Sequence, residues 1–273
     1  MRRARPSSPT FGSHWSLCDD ATVAKYVAKR SGPLLDRVDL HDDSERRQAH
    51  AFEGSRVALA TADQDALTSG WYGYGSWKAP YWFIGMEPGG DQGEANFAHW
   101  DRLGRAELLD IQAHHEGHVL DWFSESSATQ STWAKLIWLL LAYKGVEPTR
   151  DATLRYQRDR LGRCDGETAL LELSALAASH MGVAVSRSLN RVHRIETIRE
   201  RLRAHEPSLV VFYSTRPEYA DAWARIAGAR LSEGRPVRMG PTAFLMAYHP
   251  QYKRSKAYWL ELAERLHAVR ETP

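Results

Sequence analysis

Short, predominantly apolar segments alternate with amphipathic or polar stretches along this chain. Segments of this length and composition predict strands buried on both faces, here at 81–85, 168–176, 207–215 and 242–250. Apolar residues at helical spacing predict helices around 101–122, 131–144, 191–204, 217–228 and 255–270. Strands separated by helices indicate an α/β fold, in which helices cover both faces of a mostly parallel sheet.

The helix predicted over 191–204 has an apolar face and a basic face. Its spacing places Val192, Ile195, Ile198 and Leu202 on one face, which we expect to be buried. The arginines of this region are expected on the solvated face, where they would add to a positive field: Arg187, Arg191, Arg194 and Arg199.

The chain divides by composition into three parts. Residues 1–13 are rich in Pro, Ser and Arg and predict a disordered lead-in. Residues 14–70 are polar and helical in pattern, and we expect a helical N-terminal extension packed on the core. Residues 71–273 carry the alternating strands and helices of the main α/β domain.

Composition narrows the class of protein. A chain of 273 residues with 43% hydrophobic residues can fill one sizeable core, and a net charge of +2 is too mild to indicate nucleic-acid binding by itself. Two cysteines exclude a four-thiolate cluster and favour a reducing, cytoplasmic setting. The basic N-terminus lacks the apolar region of a secretory signal, and the apolar run 133–143 is too short to span a membrane.

The stretch YWFIGMEPGGDQGE, residues 81–94, ends a predicted strand in a glycine turn that carries Glu87. It lacks the spacing of a phosphate-binding loop, and its carboxylates would repel a phosphate. A second polar group, His249, follows the last predicted strand in the stretch AYHPQYKR. Ligands of parallel sheets bind at the carboxyl ends of the strands, so Glu87 and His249 are candidate site residues. A plain turn and a loop histidine without a role are the alternatives.

A metal site at a histidine-rich stretch is a weaker alternative to the candidate site at Glu87 and His249. The stretch HHEGH, residues 114–118, would place His114 and His118 on one face of a helix. Gly117 disfavours that helix and no third ligand has a recognisable spacing, so we expect a solvated helix end and no metal.

Taken together, FIGMEPGG after the first apolar strand and AYHPQ after the last resemble the two motifs of the uracil-DNA glycosylase superfamily. The resemblance covers about residues 80–268, and GMEPGG is most similar to the single-strand-selective monofunctional branch. It implies a three-layer α/β/α fold around a mostly parallel four-stranded sheet. It also implies a monomeric enzyme that binds single- or double-stranded DNA and needs no cofactor.

The resemblance also implies roles for particular residues. Glu87 would position or activate the attacking water, and His249 would donate a hydrogen bond to the departing base. The backbone at Gly85 and Met86 would meet the flipped nucleotide. An aromatic side chain, Phe97 or Trp100, would stack on the extruded base. The loop after the histidine would press on the DNA through Gln251, Tyr252, Lys253 and Arg254.

Two departures from the family pattern concern the base. Ser174 stands where the family has its uracil-reading Asn, and a hydroxyl cannot make the paired contacts by which an amide reads an imide edge. Gly89 stands where the strict uracil branch has a Tyr that bars C5 substituents. The sequence therefore predicts a monofunctional DNA glycosylase for a modified, C5-substituted pyrimidine, in base-excision repair or in defence against phage with modified DNA. A non-catalytic binding module on the same fold and an unrelated hydrolase using Glu87 and His249 are the alternatives.

Overall fold

The computed structural model describes residues 61–86, 88, 93–116, 122–176, 185–252 and 254–270, which all lie within one compact unit, Val57–Pro273. The predicted lead-in and residues 14–60 of the predicted helical extension lie outside the described residues. The last part of that extension, residues 61–70, is a helix.

Helices and strands alternate along the described part of the chain, which contains eight helices and seven strands. Their order is α1 (Thr61–Gly70), β1 (Gly73–Tyr74), β2 (Tyr81–Gly85), α2 (Gly93–Arg102), β3 (Leu108–Leu109), α3 (Ile111–His115), α4 (Ser131–Tyr143), α5 (Arg150–Asp159), β4 (Thr168–Glu172), α6 (Val185–His205), β5 (Leu209–Phe212), α7 (Pro217–Ala227), β6 (Val237–Met239), β7 (Thr242–Met246) and α8 (Lys256–Arg270). None of these helices is long and apolar enough to cross a membrane.

The strands form one mixed sheet in the order β3-β1-β4-β2-β5-β7-β6. The four central strands, β4, β2, β5 and β7, are parallel to one another and are the four that the apolar segments predict. Strands β1 and β6 run antiparallel to β4 and β7, and β3 pairs in parallel with β1. The sheet therefore has seven strands rather than the predicted four, because strands of two or three residues carry no recognisable pattern.

Helices cover both faces of the sheet, so the predicted α/β class is confirmed. Successive residues of a strand point to opposite faces. Phe83 belongs to a buried cluster that includes Leu140 of α4 and Trp259 of α8. Its neighbour Trp82 belongs to a second cluster, which includes Trp223 of α7 together with residues of α6.

Two glycines allow β1 to approach the sheet. Gly73 and Gly75 have φ angles of 141° and 100°, which favour glycine over other residues. A Cβ atom on Gly73 would lie 2.0 Å from the carbonyl oxygen of Leu170, and one on Gly75 would lie 2.2 Å from that of Thr168. The glycine- and aromatic-rich segment 69–80 therefore contributes a short strand, β1, to the sheet.

The helix predicted over 101–122 is wrong. Helix α2 ends at Arg102, and Gly104 and Arg105 then adopt positive φ angles of 83° and 54° that turn the chain. The chain next forms β3 and the five-residue helix α3, whose N-cap Asp110 accepts hydrogen bonds from the backbone of Gln112 and Ala113. Helix propensity alone does not reveal the turn at Gly104 and Arg105 or the short elements that follow it.

The buried face of α6 also differs from its prediction. Ile195, Ile198 and Leu202 are buried as expected, but Val192 is 52% exposed and Arg194 is only 1% exposed. The buried face of α6 is therefore rotated toward Arg194. This arginine does not lie on the solvated face, as predicted, and adds no exposed charge to the helix surface.

The guanidinium of Arg194 hydrogen-bonds four backbone carbonyl groups. It donates to Thr68 and Trp71 at 2.7 Å each, to Glu172 at 2.7 Å and to Leu173 at 3.0 Å. It also lies 4.2 Å from the ring centroid of Tyr72. Burial lowers the pKa of Arg194 to about 10, so the group remains charged at neutral pH. This one side chain joins the end of α1, the start of β1 and the end of β4.

Replacing Arg194 with Met tests this role. Arg194→Met keeps an apolar stem but leaves these carbonyl groups without their donors, and we expect a loss of about 3–5 kcal/mol in the free energy of unfolding. Urea unfolding followed by circular dichroism measures it. Arg203→Met, an exposed position on the same helix, is the control and should change stability by less than about 0.5 kcal/mol. Equal losses in the two variants would contradict the role of Arg194.

Candidate active site at the carboxyl edge of the sheet

Hydrogen bonds between successive segments bring the ends of the four central strands together. The backbone N–H of Leu173 donates to Gly85 at 3.0 Å, and that of Ser174 donates to Met86 at 2.9 Å. Beyond β5, Tyr213 N–H bonds to the carbonyl of Ile84 at 3.1 Å. The segment after β7, which carries His249, is joined to β5 in the same way. The described ends of the two motif segments, Gly85-Met86 and Tyr248-His249, thus lie at the same edge of the sheet, on either side of the end of β5.

Three of the predicted site residues lie outside the described residues. They are Glu87, Gly89 and Lys253. Their assignments remain predictions from the sequence. The other predicted residues are described and are considered in turn.

His249 has the hydrogen bonding and charge state of a neutral donor. Its Nδ1 accepts a hydrogen bond from the backbone N–H of Gln251 at 3.2 Å, which assigns the ring proton to Nε2. Burial, together with the smaller effects of the nearby charges of Lys135 and Arg216, lowers the pKa of His249 to about 4. At neutral pH the half-buried imidazole is therefore uncharged and can donate through Nε2.

The loop that carries His249 is held from both sides. Tyr248 N–H donates to the hydroxyl of Tyr258 at 3.1 Å, and that hydroxyl donates to Oε1 of Glu233 at 2.7 Å. On the other side, the ammonium of Lys135 donates to the carbonyl of Pro250. Burial also lowers the pKa of Lys135.

The predicted DNA-contacting residues of this loop lie at the surface. Gln251 and Arg254 are exposed, and Tyr252 is 44% exposed. The guanidinium of Arg254 lies 3.8 Å from the ring centroid of Tyr248, a cation–π contact that orients this exposed side chain. Aromatic and cationic groups are thus combined beside His249.

The space beside Gly85 is filled by two other side chains. A Cβ atom at this position would lie 2.2 Å from the hydroxyl of Tyr213 and 2.6 Å from Oε2 of Glu172. The Tyr213 hydroxyl donates to Oε1 of Glu172 at 3.0 Å, and its ring lies 5.7 Å from that of His249. The glycine therefore makes room for a phenol and a carboxylate at the strand end. Neither Tyr213 nor Glu172 is among the residues that the motifs indicate.

Ser174 and Met86 lie at the same edge. Ser174 is 8% exposed, and its hydroxyl accepts a hydrogen bond from the backbone N–H of Leu176 at 3.2 Å. Met86 is half-buried and packs against the cluster beneath the sheet. The structure thus gives the Ser174 hydroxyl a local role in shaping the loop after β4.

The two aromatic residues proposed for stacking differ in exposure. Trp100 is 3% exposed, and its indole N–H donates to the carbonyl of Ala106 at 2.8 Å. Phe97 is half-buried and lies 5.9 Å from Trp100, centroid to centroid. Trp100 is therefore a core residue, whereas part of the Phe97 side chain remains accessible.

A series of aromatic contacts that the motifs do not indicate adjoins this edge. Tyr74 contacts the rings of His114 and His115 at 5.2 and 6.1 Å. His115 in turn contacts Phe123 at 6.0 Å and Trp133 at 5.5 Å. In the sequence, the aromatic and histidine residues of SGWYGYG and HHEGH are the features that could have indicated these contacts. The pairing of β1 with β3, which α3 follows directly in the chain, brings the two segments together.

The metal alternative gains no support in the described residues. The predicted solvated helix end is wrong at His114, which is 3% exposed and packs between aromatic rings, while His118 lies outside the described part of the chain. In the described ranges no group of three or more His, Cys, Asp or Glu side chains is arranged to hold a metal ion.

A surface depression at the opposite edge has a different character. It is lined by Pro80, Lys144 and Glu167, which places it at the amino ends of the strands. There Tyr156 and Lys144 both bond Oε1 of Glu167, at 2.9 and 2.5 Å. These groups satisfy one another, so the carboxyl edge is the better candidate site.

No protein-family model matches the chain, and no curated protein matches it. The site must be interpreted from its own residues.

The charge state of His249 is directly measurable. NMR titration of its Cε1–Hε1 signal, assigned with His249→Ala, should give a midpoint of about 4. Because the charged ammonium of Lys135 disfavours a second cation, Lys135→Gln should raise that midpoint, so protonation would begin at higher pH. Lys144→Gln removes the same charge at the opposite edge and should leave it unchanged. An ordinary midpoint of about 6.5 in the unmodified protein would contradict this description.

Proposed function

We propose that the protein is a monofunctional DNA glycosylase that hydrolyses the N-glycosidic bond of a flipped-out, C5-modified pyrimidine and leaves an abasic site. The observation that carries the proposal is His249, a neutral imidazole at the carboxyl edge whose Nε2 proton is available to a departing base. The resemblance of the sequence motifs to the uracil-DNA glycosylase superfamily provides the reaction class.

The fold supports this proposal in its topology. The glycine turn follows β2 and His249 follows β7, and the intervening strand β5 is parallel to both. The two motifs, more than 150 residues apart in the chain, therefore end at the same edge, as a uracil-DNA glycosylase-like α/β/α fold requires.

The proposed reaction uses water and needs no cofactor. Water attacks C1′ of the sugar as the bond between C1′ and the base nitrogen breaks, and the base departs with the bonding electron pair. The Nε2–H of His249 would donate a hydrogen bond to the base oxygen on which this negative charge develops. Glu87 would accept the proton that the attacking water loses, and its carboxylate would favour the positive charge on the sugar.

Groups around the edge would hold the DNA and the base. Arg254, which is exposed, and Arg216, which is partly exposed and paired with Glu218, are cations near His249 that can contact phosphates, and exposed Tyr252 can stack on a base. Phe97 would stack on the flipped base. Flipping costs a few kcal/mol and is easiest for a mispaired or modified base. The proposed cellular role is base-excision repair or defence against phage DNA with modified bases.

Oligonucleotides that each carry one candidate base test the proposal. The bases are uracil, hydroxymethyluracil, hydroxymethylcytosine and glucosylated hydroxymethylcytosine, each in single- and double-stranded DNA, followed by alkali to cleave abasic sites. We expect strand breaks on at least one substrate. Glu87→Gln and His249→Ala should each lower the rate about a hundredfold or more, because each removes a group used in the transition state.

Matched controls separate this result from its alternatives. His193→Ala and Glu261→Gln change exposed residues on α6 and α8 and should keep the original rate. DNA retained in a gel shift without breaks on any substrate would favour the non-catalytic binding module. Hydrolysis of small substrates in the absence of DNA would favour an unrelated hydrolase.

A further inference from the structure

The peptide group between Pro250 and Gln251 is hydrogen-bonded at both of its polar atoms. Its N–H donates to Nδ1 of His249 at 3.2 Å, and its carbonyl accepts a hydrogen bond from the ammonium of Lys135. Lys135 lies on α4, whereas His249 follows β7. Because a peptide group is planar and rigid, this single unit connects the ammonium of one element to the imidazole of another.

A tight turn holds this peptide group in place. The backbone N–H of Tyr252 donates to the carbonyl of His249 at 2.9 Å, which closes a turn with Pro250 at its second position. The ring of proline fixes φ at this position, and Pro250 is buried while Gln251 is exposed. The direction of the Pro250 carbonyl is therefore restricted by the turn, and the hydrogen bond from Lys135 holds it.

The ammonium also strengthens the hydrogen bond at the other end of the peptide group. A positive charge at the carbonyl oxygen polarises the peptide, and hydrogen bonds that are linked in a chain reinforce one another. A stronger bond to Nδ1 draws electron density from the imidazole, which makes Nε2–H of His249 a better donor. A proton on Nδ1 would instead face the N–H of Gln251, so the turn requires the neutral ring.

The other groups around His249 differ from Lys135 in charge or in pairing. Arg216, which precedes α7, also acts on the imidazole, but its guanidinium lies 3.3 Å from the carboxylate of Glu218. The ring of Tyr213 lies 5.7 Å from that of His249, and burial raises the pKa of its hydroxyl, which stays neutral. Lys135 donates to an uncharged carbonyl, so its full positive charge acts on the peptide group.

We propose that Lys135 is a positioning residue that acts on the departing base through the Pro250–Gln251 peptide group and the imidazole of His249. This inference rests on the proposed glycosylase function. Lys135 does not touch the substrate. It orients Nε2–H and strengthens the hydrogen bond that this group donates as negative charge develops on the base. Because that charge is largest in the transition state, Lys135 should contribute to kcat more than to KM.

Substitutions of Lys135 test the inference by kinetics. Lys135→Met keeps the apolar stem but removes the ammonium, whereas Lys135→Arg keeps a positive charge and a donor. With an oligonucleotide that the unmodified protein cleaves, Lys135→Met should lower kcat about tenfold to a hundredfold and change KM by less than about threefold. Lys135→Arg should restore most of the rate. Lys144→Met removes an ammonium at the opposite edge of the sheet and should keep the original kcat.

A spectroscopic measurement separates this role from a general loosening of the loop. The backbone amide signal of Gln251 reports on its bond to Nδ1, and in the unmodified protein it should titrate with the His249 midpoint of about 4. Lys135→Met should raise that midpoint, because the lost cation no longer disfavours protonation. Tyr258→Phe removes the hydroxyl that accepts a bond from Tyr248 but removes no charge, so it should leave the midpoint unchanged, as should Lys135→Arg.

The outcomes distinguish this inference from the proposed function. If the protein cleaves DNA and Lys135→Met keeps both the original kcat and the original Gln251 midpoint, the inference is overturned and the glycosylase proposal stands. If no oligonucleotide is cleaved but Lys135→Met still raises the midpoint, the glycosylase proposal fails and the coupling of Lys135 to His249 stands. Equal losses of kcat in Lys135→Met and Lys135→Arg would overturn the role of the positive charge.

Discussion

The buried guanidinium of Arg194 is the interaction on which the rest of this structure depends. A charge can be 1% exposed only if its donors are satisfied, and Arg194 satisfies them with backbone carbonyls from three separate segments. The carbonyls at the end of β4 consequently bond to a side chain instead of to another strand. The strand therefore stops at Glu172, before the apolar pattern itself ends at residue 176.

The position of this stop decides what the site contains. Because β4 ends at Glu172, that carboxylate lies at the sheet edge beside Gly85 and not within a longer strand. The absent side chain of Gly85 then admits Tyr213 and Glu172 together. The buried cation of Arg194 thus fixes the backbone position from which the Glu172 carboxylate reaches this edge.

The charge state of His249 is set first by its burial and then by the nearby cations Lys135 and Arg216. Lys135 and Arg216 both lower the pKa of His249, after the larger effect of burial. The imidazole therefore remains a neutral donor over the physiological pH range. In the proposed reaction the departing base becomes an anion, which would accept a hydrogen bond from His249 near the ammonium of Lys135. Such an electrostatic arrangement lowers the barrier for the reaction. The same cations would contribute to attraction of DNA phosphates.

The sequence by itself determined the α/β class, the four central strands, helices such as Pro217–Ala227, and the presence of Gly85 and His249 at strand ends. These follow from local apolar pattern and from glycine and proline chemistry, which act over a few residues. Only the tertiary structure decided that Arg194 is buried while Val192 is exposed, that β1, β3 and β6 extend the sheet, and that Tyr213 and Lys135 adjoin His249 while Glu172 hydrogen-bonds Tyr213. Those outcomes depend on contacts between residues far apart in the chain, which no local pattern encodes.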